Sequence, residues 1–326
     1  MELAHWDIAA RGPTRGSPEN DHIEIERYYL RGAGALIHKI LRKDEDEERL
    51  SEVRTGLTKL LKDILVTDRL FKIFNSKDIS GSEKAAPDRI ERRSKSDHSP
   101  GEQVMRRAIR NVLSHKVDKF IKVDSMMHLL PLAVMCLILR KSQSANGEAA
   151  QPFVSSVLDC GYKPSQLRRE SKGSFATAQK QVEIALRQEG EKLVDDEDPE
   201  KKEEIIRAAV RGIKGYYPRT AASIGFLNAA QGVRYHVLKD PLINALVMAE
   251  ISGEEEEITL DEFCGRLFNN WGMVVSRNAA EQAGLLQEMN GAVFEQNTDE
   301  DFAASLRRLG VLREFSDQTK MVGMPQ

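Results

Sequence analysis

Residues 103–123 read QVMRRAIRNVLSHKVDKFIKV, and their apolar members decide the fold class. Ile109, Val112, Leu113, Val117, Phe120 and Ile121 recur at spacings of three and four, the period of a helix with one continuous apolar face. No run before residue 258 alternates with a period of two over a useful length, so the expectation is a mainly α chain. The next segment reinforces it. Met126–Leu139 is the most apolar window of the chain, at 14 residues, and it carries His128 and Pro131. A bilayer span needs roughly 20 residues, so this window is expected to be a buried core helix and no membrane partner is expected.

Working outward toward the N-terminus, residues 75–102 have almost no apolar content and much Ser, Asp and Lys, the composition of a linker or mobile loop. Before them, Val53, Leu57, Leu60, Leu61, Ile64 and Leu65 predict a helix that continues to Phe71 and Phe74. Residues 22–43 place Ile23, Tyr29, Leu30, Ile37, Ile40 and Leu41 at helix-like intervals, weakened by Gly32 and Gly34. Residues 1–20 have neither a basic start nor a long apolar run and are expected to be a flexible tail rather than a leader. The expected organisation is therefore a tail to 20, a helical region over 21–74, a linker over 75–102, a helical core domain over 103–253, and a final module over 254–326.

Within the core domain, PFVSSVLDCGY (152–162) is a short apolar piece, and Phe175, Ala178, Val182, Ile184 and Leu186 mark a more polar helix. Pro199 is placed to open a further helix through Ile205, Ile206, Ala209, Val210 and Ile213. The tetrapeptide Gly215-Tyr216-Tyr217-Pro218 is expected to end it, with two more helices at 220–231 and 240–251.

Charge is distributed unevenly although the net charge is only −3. Residues 84–172 hold 17 Lys and Arg against 9 Asp and Glu, a balance of +8, while residues 254–326 hold 6 against 14, a balance of −8. A basic middle and an acidic end imply different partners, or one piece screening the other. The basic set that could follow a nucleic-acid backbone is Arg92, Arg93, Arg106, Arg107, Arg110, Lys119, Lys122, Arg168, Arg169 and Lys172. On a helical projection of 103–123 only Arg107, Lys119 and Lys122 oppose the apolar face. Few aromatics interleave with these cations, so a solvated face is the plainer explanation and nucleic-acid binding the alternative.

Catalytic and cofactor patterns are weak throughout. Cys136, Cys160 and Cys264 lie far apart and are odd in number, which disfavours a closed disulfide framework and fits a reducing, cytoplasmic setting. Cys160 lacks a nearby His and is best taken as a small core residue. Glu189-Gly190-Glu191-Lys192 contains a Glu-x-Lys triplet, which in metal-dependent nucleases needs a strand and a companion Asp; a helical surface explains it more simply. Gly32-x-Gly34 lacks the rest of a dinucleotide fingerprint and no Walker-type loop occurs. The acidic stretches 195–204 and 254–257 are expected to be solvated connectors. No catalytic centre, cofactor or metal is expected, with a hydrolase of unfamiliar motif as the remaining enzymatic reading.

The final module starts at Thr259-Leu260-Asp261-Glu262, a capping box that predicts a helix carrying Leu260, Phe263, Leu267 and Phe268 inward and ending near Trp271-Gly272. Helices are then predicted over 278–289 and 298–309, the latter closed by Gly310, followed by a β-hairpin in VLREFSDQTKMV (311–322). This order, with LRRLGVLREFSDQTKMV (306–322), resembles the winged-helix family at its junction of third helix and wing. The resemblance covers about 70 residues and implies a winged-helix-like module. In DNA-reading members the third helix enters the major groove; here it begins Thr298-Asp299-Glu300-Asp301, which would meet phosphate, so the implied role is protein docking. Kleisin-like subunits also join a helical part to a C-terminal winged helix, and the module looks like the ends of subunits from bacterial multi-gene systems, phage defence included. These resemblances imply a non-enzymatic adaptor subunit of a bacterial multiprotein complex, acting in antiviral defence or DNA maintenance, with protein partners and, in the alternative, DNA or RNA on the basic segment.

Overall fold

The computed structural model describes residues 6–8, 25–27, 37, 40–41, 47–61, 99–147, 153–154, 166–193, 199–228, 233–255, 257–288, 296–316 and 318–325. The expected helical stretch 62–74, the linker to residue 98 and Cys160 lie outside them. The chain divides into two compact units, Met1–Arg54 with Leu61–Ser99, and Thr55–Leu60 with Pro100–Gln326.

In the first unit, β1 (Trp6–Ile8) pairs antiparallel with β2 (Ile25–Arg27), Trp6 opposite Arg27. Both expectations for this stretch need correction. Trp6–Ile8 is a strand rather than tail, and Ile25–Arg27 is a strand rather than the first turn of a helix. The reason is legible in HIEIER, where Ile23 and Ile25 alternate with acidic residues at a period of two. Ile37 and Ile40 are helical and buried, and α1 (Glu47–Leu61), whose residues 55–60 are assigned to the second unit, opens on Glu47 and Glu48, which suit the positive end of its dipole.

The second unit is built on α2 (Pro100–Ser114), α3 (Lys119–Ala145), α4 (Gln166–Leu193), α5 (Pro199–Ser223) and α6 (Asp240–Glu250). The mainly α expectation holds for it. α3 lies against α2, α4 and α6, and α4 also packs on α5. Its buried stretch from Ser125 to Leu139 and the run Ala245–Glu250 of α6 form the centre of the core. α3 is 27 residues long and by length and composition could cross a membrane, but 61% of its most apolar window is buried inside the protein. Pro131 lies within it. Met127, whose carbonyl loses a helical partner to Pro131, is exposed, so water can serve that carbonyl.

The continuous helix expected over 103–123 is two helices. The chain leaves α2 at Ser114 and restarts at Lys119, where the Asp118 carboxylate caps α3 by accepting from the Phe120 N–H at 2.8 Å. The break, residues 115–118, is about one helical turn long, so the three-and-four spacing runs through it undisturbed. Beyond it the apolar pattern no longer faces the core: Phe120 and Ile121 point outward. The start of the expected linker is also corrected, since Pro100–Glu102 form the first turn of α2 and Glu102 is fully buried.

Pro199 is the first residue of α5, as expected, but the helix does not stop at Gly215–Pro218. It continues to Ser223, because Tyr217, Pro218 and Ala221 are buried and their packing outweighs the bond that proline removes. Of the helix expected over 220–231, residues 220–223 are the end of α5; among the described residues that follow come a turn at Gly225 (φ 78°) and a bridge between Leu227 and His236. A Cβ on Gly225 would lie 2.9 Å from that of Lys239, so glycine is required twice over.

The C-terminal part follows the expected order with one division. β4 (Ile258–Thr259) leads into α7 (Leu260–Trp271), where the Thr259 hydroxyl accepts from the Glu262 N–H at 3.2 Å. Gly272, at φ 72°, ends it. After β5 (Met273–Val274), the helix expected over 278–289 is split at Ala283-Gly284 into α8 (Arg277–Gln282) and α9 (Leu285–Glu288), Gly284 having φ 72°. Then come α10 (Gln296–Arg308) and the hairpin of β6 (Leu312–Glu314) and β7 (Lys320–Val322). The sheet runs β4-β7-β6, all antiparallel. β5 pairs in parallel with β3 (Phe153–Val154), a strand in a piece read only as apolar, and so ties this part to the helical body.

Candidate functional sites

Three groups of polar side chains are candidates for chemistry or binding. The first surrounds His236, which is fully buried. Its ring stacks on Phe226 at 4.7 Å and meets the edges of Phe153 at 5.1 Å and Phe175 at 5.6 Å. Ser174 Oγ is 3.4 Å from Nδ1 and Tyr217 Oη 3.3 Å from Nε2, while Ser171 donates to the His236 carbonyl at 2.7 Å. A serine, a histidine and a tyrosine in sequence resemble a nucleophile with its base. Burial, however, pushes the imidazole down to about 3 and the Tyr217 hydroxyl well above its ordinary value. A base that weak activates no hydroxyl at neutral pH, and aromatic rings cover the imidazole. The cluster is a packing centre that joins β3, α4 and α5 to Phe226 and His236.

The second group lies where the helical body meets α7. Glu250 is 2% exposed and receives Trp271 Nε1 and Asn270 Nδ2, each at 2.6 Å, with the Arg107 guanidinium 3.7 Å away. Arg266 donates to the Glu250 carbonyl at 2.6 Å and pairs with Glu255 and Glu262. From α3, Arg140 donates to the Asn270 carbonyl at 2.7 Å, and Cys136 lies 3.8 Å from the Trp271 carbonyl. The buried Cys136 thiol is pushed up to about 12, so it is no nucleophile. Apart from the Arg266–Glu262 pair within α7, these contacts join one part of the protein to another, which identifies a structural junction.

The third group is the basic set. Arg92 and Arg93 lie outside the described residues. Arg106 is buried, 3.9 Å from Glu102; Arg107 reaches Glu250; Arg110 is half-buried with its Nε fully enclosed. Lys119 lies over the Phe120 ring, and Lys122 donates to the Leu113 carbonyl, its ammonium lowered by burial and by Lys59. Arg106, Arg107, Lys119 and Lys122 are therefore engaged with the protein's own groups, whereas the enclosed Arg110 Nε has no hydrogen-bond partner among the described residues. Arg168, Arg169 and Lys172 sit together at the start of α4, and there the fold adds a residue that sequence spacing could not supply: Arg234, on the loop whose Tyr235 ring carries the Arg168 guanidinium at 5.0 Å.

The Glu-x-Lys triplet lies in helix α4, with Glu191 held by Lys202 from α5. Among the described residues no group of His, Cys, Asp and Glu is arranged to hold a metal ion. No family model matches the chain, and neither a curated protein nor a solved structure is significantly similar to it.

Proposed function

We propose that the protein is a non-enzymatic interaction subunit that binds protein partners through its helical body and through residues 254–326 acting as an acidic winged-helix domain. The observation that carries this reading is the apolar surface at the start of α3, where Phe120 is 62% exposed, Met127 54% and Ile121 41%. Phe120 and Met127 are seven residues apart, two turns along one stripe, and such side chains are typical anchors in protein interfaces. Residues 254–326 support docking on protein rather than on phosphate. Of their six cations, Arg266, Arg307, Arg308, Arg313 and Lys320 are each held by a carboxylate: Glu255 and Glu262, Glu314, Asp240, Glu257 and Glu300 respectively. The helix order, the Gly310 turn and the hairpin support the winged-helix assignment. The setting, a bacterial multi-gene system such as phage defence, rests on the likeness of the end module, residues 254–326, to the ends of subunits of such systems.

The test compares tagged wild type with Phe120→Glu/Met127→Glu. Each protein that co-purifies with wild type is made separately and titrated against both. A partner that loses about tenfold or more in affinity for the variant, corresponding to roughly 1.4 kcal/mol, supports the reading. A chain that binds no protein, or whose partners bind both forms equally, overturns it.

A further inference from the structure

α4 opens Gln166-Leu167-Arg168-Arg169-Glu170-Ser171-Lys172, with no carboxylate in its first turn and three cations in its first two. The unpaired N–H groups of a helix start already carry partial positive charge, so cations there are unfavourable for the helix itself. α1 and α7 follow the opposite rule, opening on Glu47 and Glu48 and on Asp261 and Glu262. A second observation comes from Tyr235 and His236, which meet this end through Arg168 and Ser171. Ser171 holds the His236 carbonyl, and Asn228 fastens the loop by donating to the Val233 carbonyl and accepting the Tyr235 N–H, both at 2.8 Å. That clamp turns Tyr235 inward and leaves Val233 and Arg234 exposed. Arg169, Lys172 and Arg234 are exposed and bear no ion pair among the described residues. Glu170, half-buried, is the carboxylate that stands among them.

We propose that the first two turns of α4 and the loop 233–239 form a binding surface for the phosphate backbone of a nucleic acid. Arg169, Lys172 and Arg234 contact phosphates, and the helix start adds its own positive potential. Arg168, fixed over Tyr235, is a further cation at the same face. Tyr235 is buried and offers no ring for base stacking, so binding is independent of sequence and governed by charge. This surface goes beyond the protein-docking reading and does not include the Phe120–Met127 face.

The experiment is fluorescence anisotropy of the full chain with duplex DNA, single-stranded DNA and single-stranded RNA of equal length over a series of salt concentrations. Three to four phosphate contacts give a slope of log affinity against log salt of about −3 on duplex. Arg169→Gln/Lys172→Gln/Arg234→Gln is expected to weaken binding more than tenfold and to flatten the slope by about one for each contact removed. Removing cations from a helix start favours the helix, so this variant stays folded. Lys116→Gln/Lys180→Gln/Arg211→Gln, three exposed cations elsewhere, is expected to bind as wild type does. The tightest of the three arms identifies the source of the phosphates. The proposal is overturned by absence of binding at low salt, by equal loss in the control variant, by no loss in the first variant, or by equally effective competition from polyglutamate. Phe120→Glu/Met127→Glu retains nucleic-acid binding, which keeps failure of this proposal distinct from failure of the docking reading.

Discussion

The indole N–H of Trp271 donates to Glu250 Oε1 at 2.6 Å in the interior, joining the last turn of α7 to the last turn of α6. Burial raises the Glu250 carboxyl above its ordinary value of 4.5, and the Trp271 and Asn270 donors with Arg107 and Arg266 offset this only in part. A carboxyl that is harder to ionise in the native state stabilises it least when ionised. Wild type therefore loses stability as pH rises through the raised native value, while Glu250→Gln has no such loss. Urea midpoints at pH 5 and pH 8 should show the difference between variant and wild type moving in favour of the variant at the higher pH; a constant difference would disprove the assignment. Trp271→Phe, which leaves a buried carboxylate oxygen short of a donor, should cost about 1–3 kcal/mol.

His236 gives the opposite dependence. Its imidazole is held neutral down to about 3, whereas the unfolded chain protonates it near 6.5. Between those values the unfolded state binds more protons, so stability falls as pH falls from 6.5 toward 3. His236→Phe keeps an aromatic ring against Phe226 but removes the Tyr217 hydroxyl's partner Nε2. It should be less stable than wild type at pH 7 by about 1–3 kcal/mol and should show a shallower loss on acidification. Chemical denaturation across pH 4–7 measures both, and equal slopes would exclude His236 as the source.

Gly253 is the tightest point between α2 and the segment after α6. Its N–H donates to Ser114 Oγ at 2.8 Å, and a Cβ built on it would lie 2.5 Å from the Ser114 carbonyl oxygen. Beside it, Asn111 donates to the Ala249 carbonyl at 2.7 Å and His115 Nε2 contacts the Met248 and Ile251 carbonyls. The end of α2 thus caps the end of α6. Because the obstacle is backbone, Gly253→Ala should cost about 1–3 kcal/mol or more. Faster hydrogen exchange at residues 248–253 would accompany the loss, and wild-type exchange there would refute the interlock.

What could be anticipated from the chain alone follows the range of the forces involved. The Thr259 cap, the Gly272 and Gly310 stops and Pro199 at a helix start are local, and local chemistry predicted them. The break at 115–118 was hidden because its length matches a helical turn. Pro218 misled because its local penalty is smaller than the gain from burying Tyr217 beside His236. Neither the Glu250–Trp271 junction nor Arg234 beside Arg168 leaves a mark in sequence spacing, since each depends on elements brought together by packing. Arg106 and Arg107, read as candidate phosphate ligands, illustrate the same limit: a helical projection cannot show that Glu102 stands next to the first and Glu250 next to the second.

Two residues of α3 test directly whether its first turns were left apolar for a partner rather than for the fold. Leu132 is fully buried at the centre of the core, and Leu132→Ala should cost about 2–5 kcal/mol, because the surrounding helices cannot close the cavity. Phe120 is larger and more apolar in surface, yet most of it faces solvent. Phe120→Ser should change stability by about 0.5 kcal/mol or less, since little transfer energy is lost. If the native fold relied on Phe120, the two variants would unfold at similarly lowered urea midpoints. A large loss for Leu132→Ala beside a near-wild-type Phe120→Ser would mean that the exposed ring contributes nothing measurable to folding, as the proposed role in binding requires.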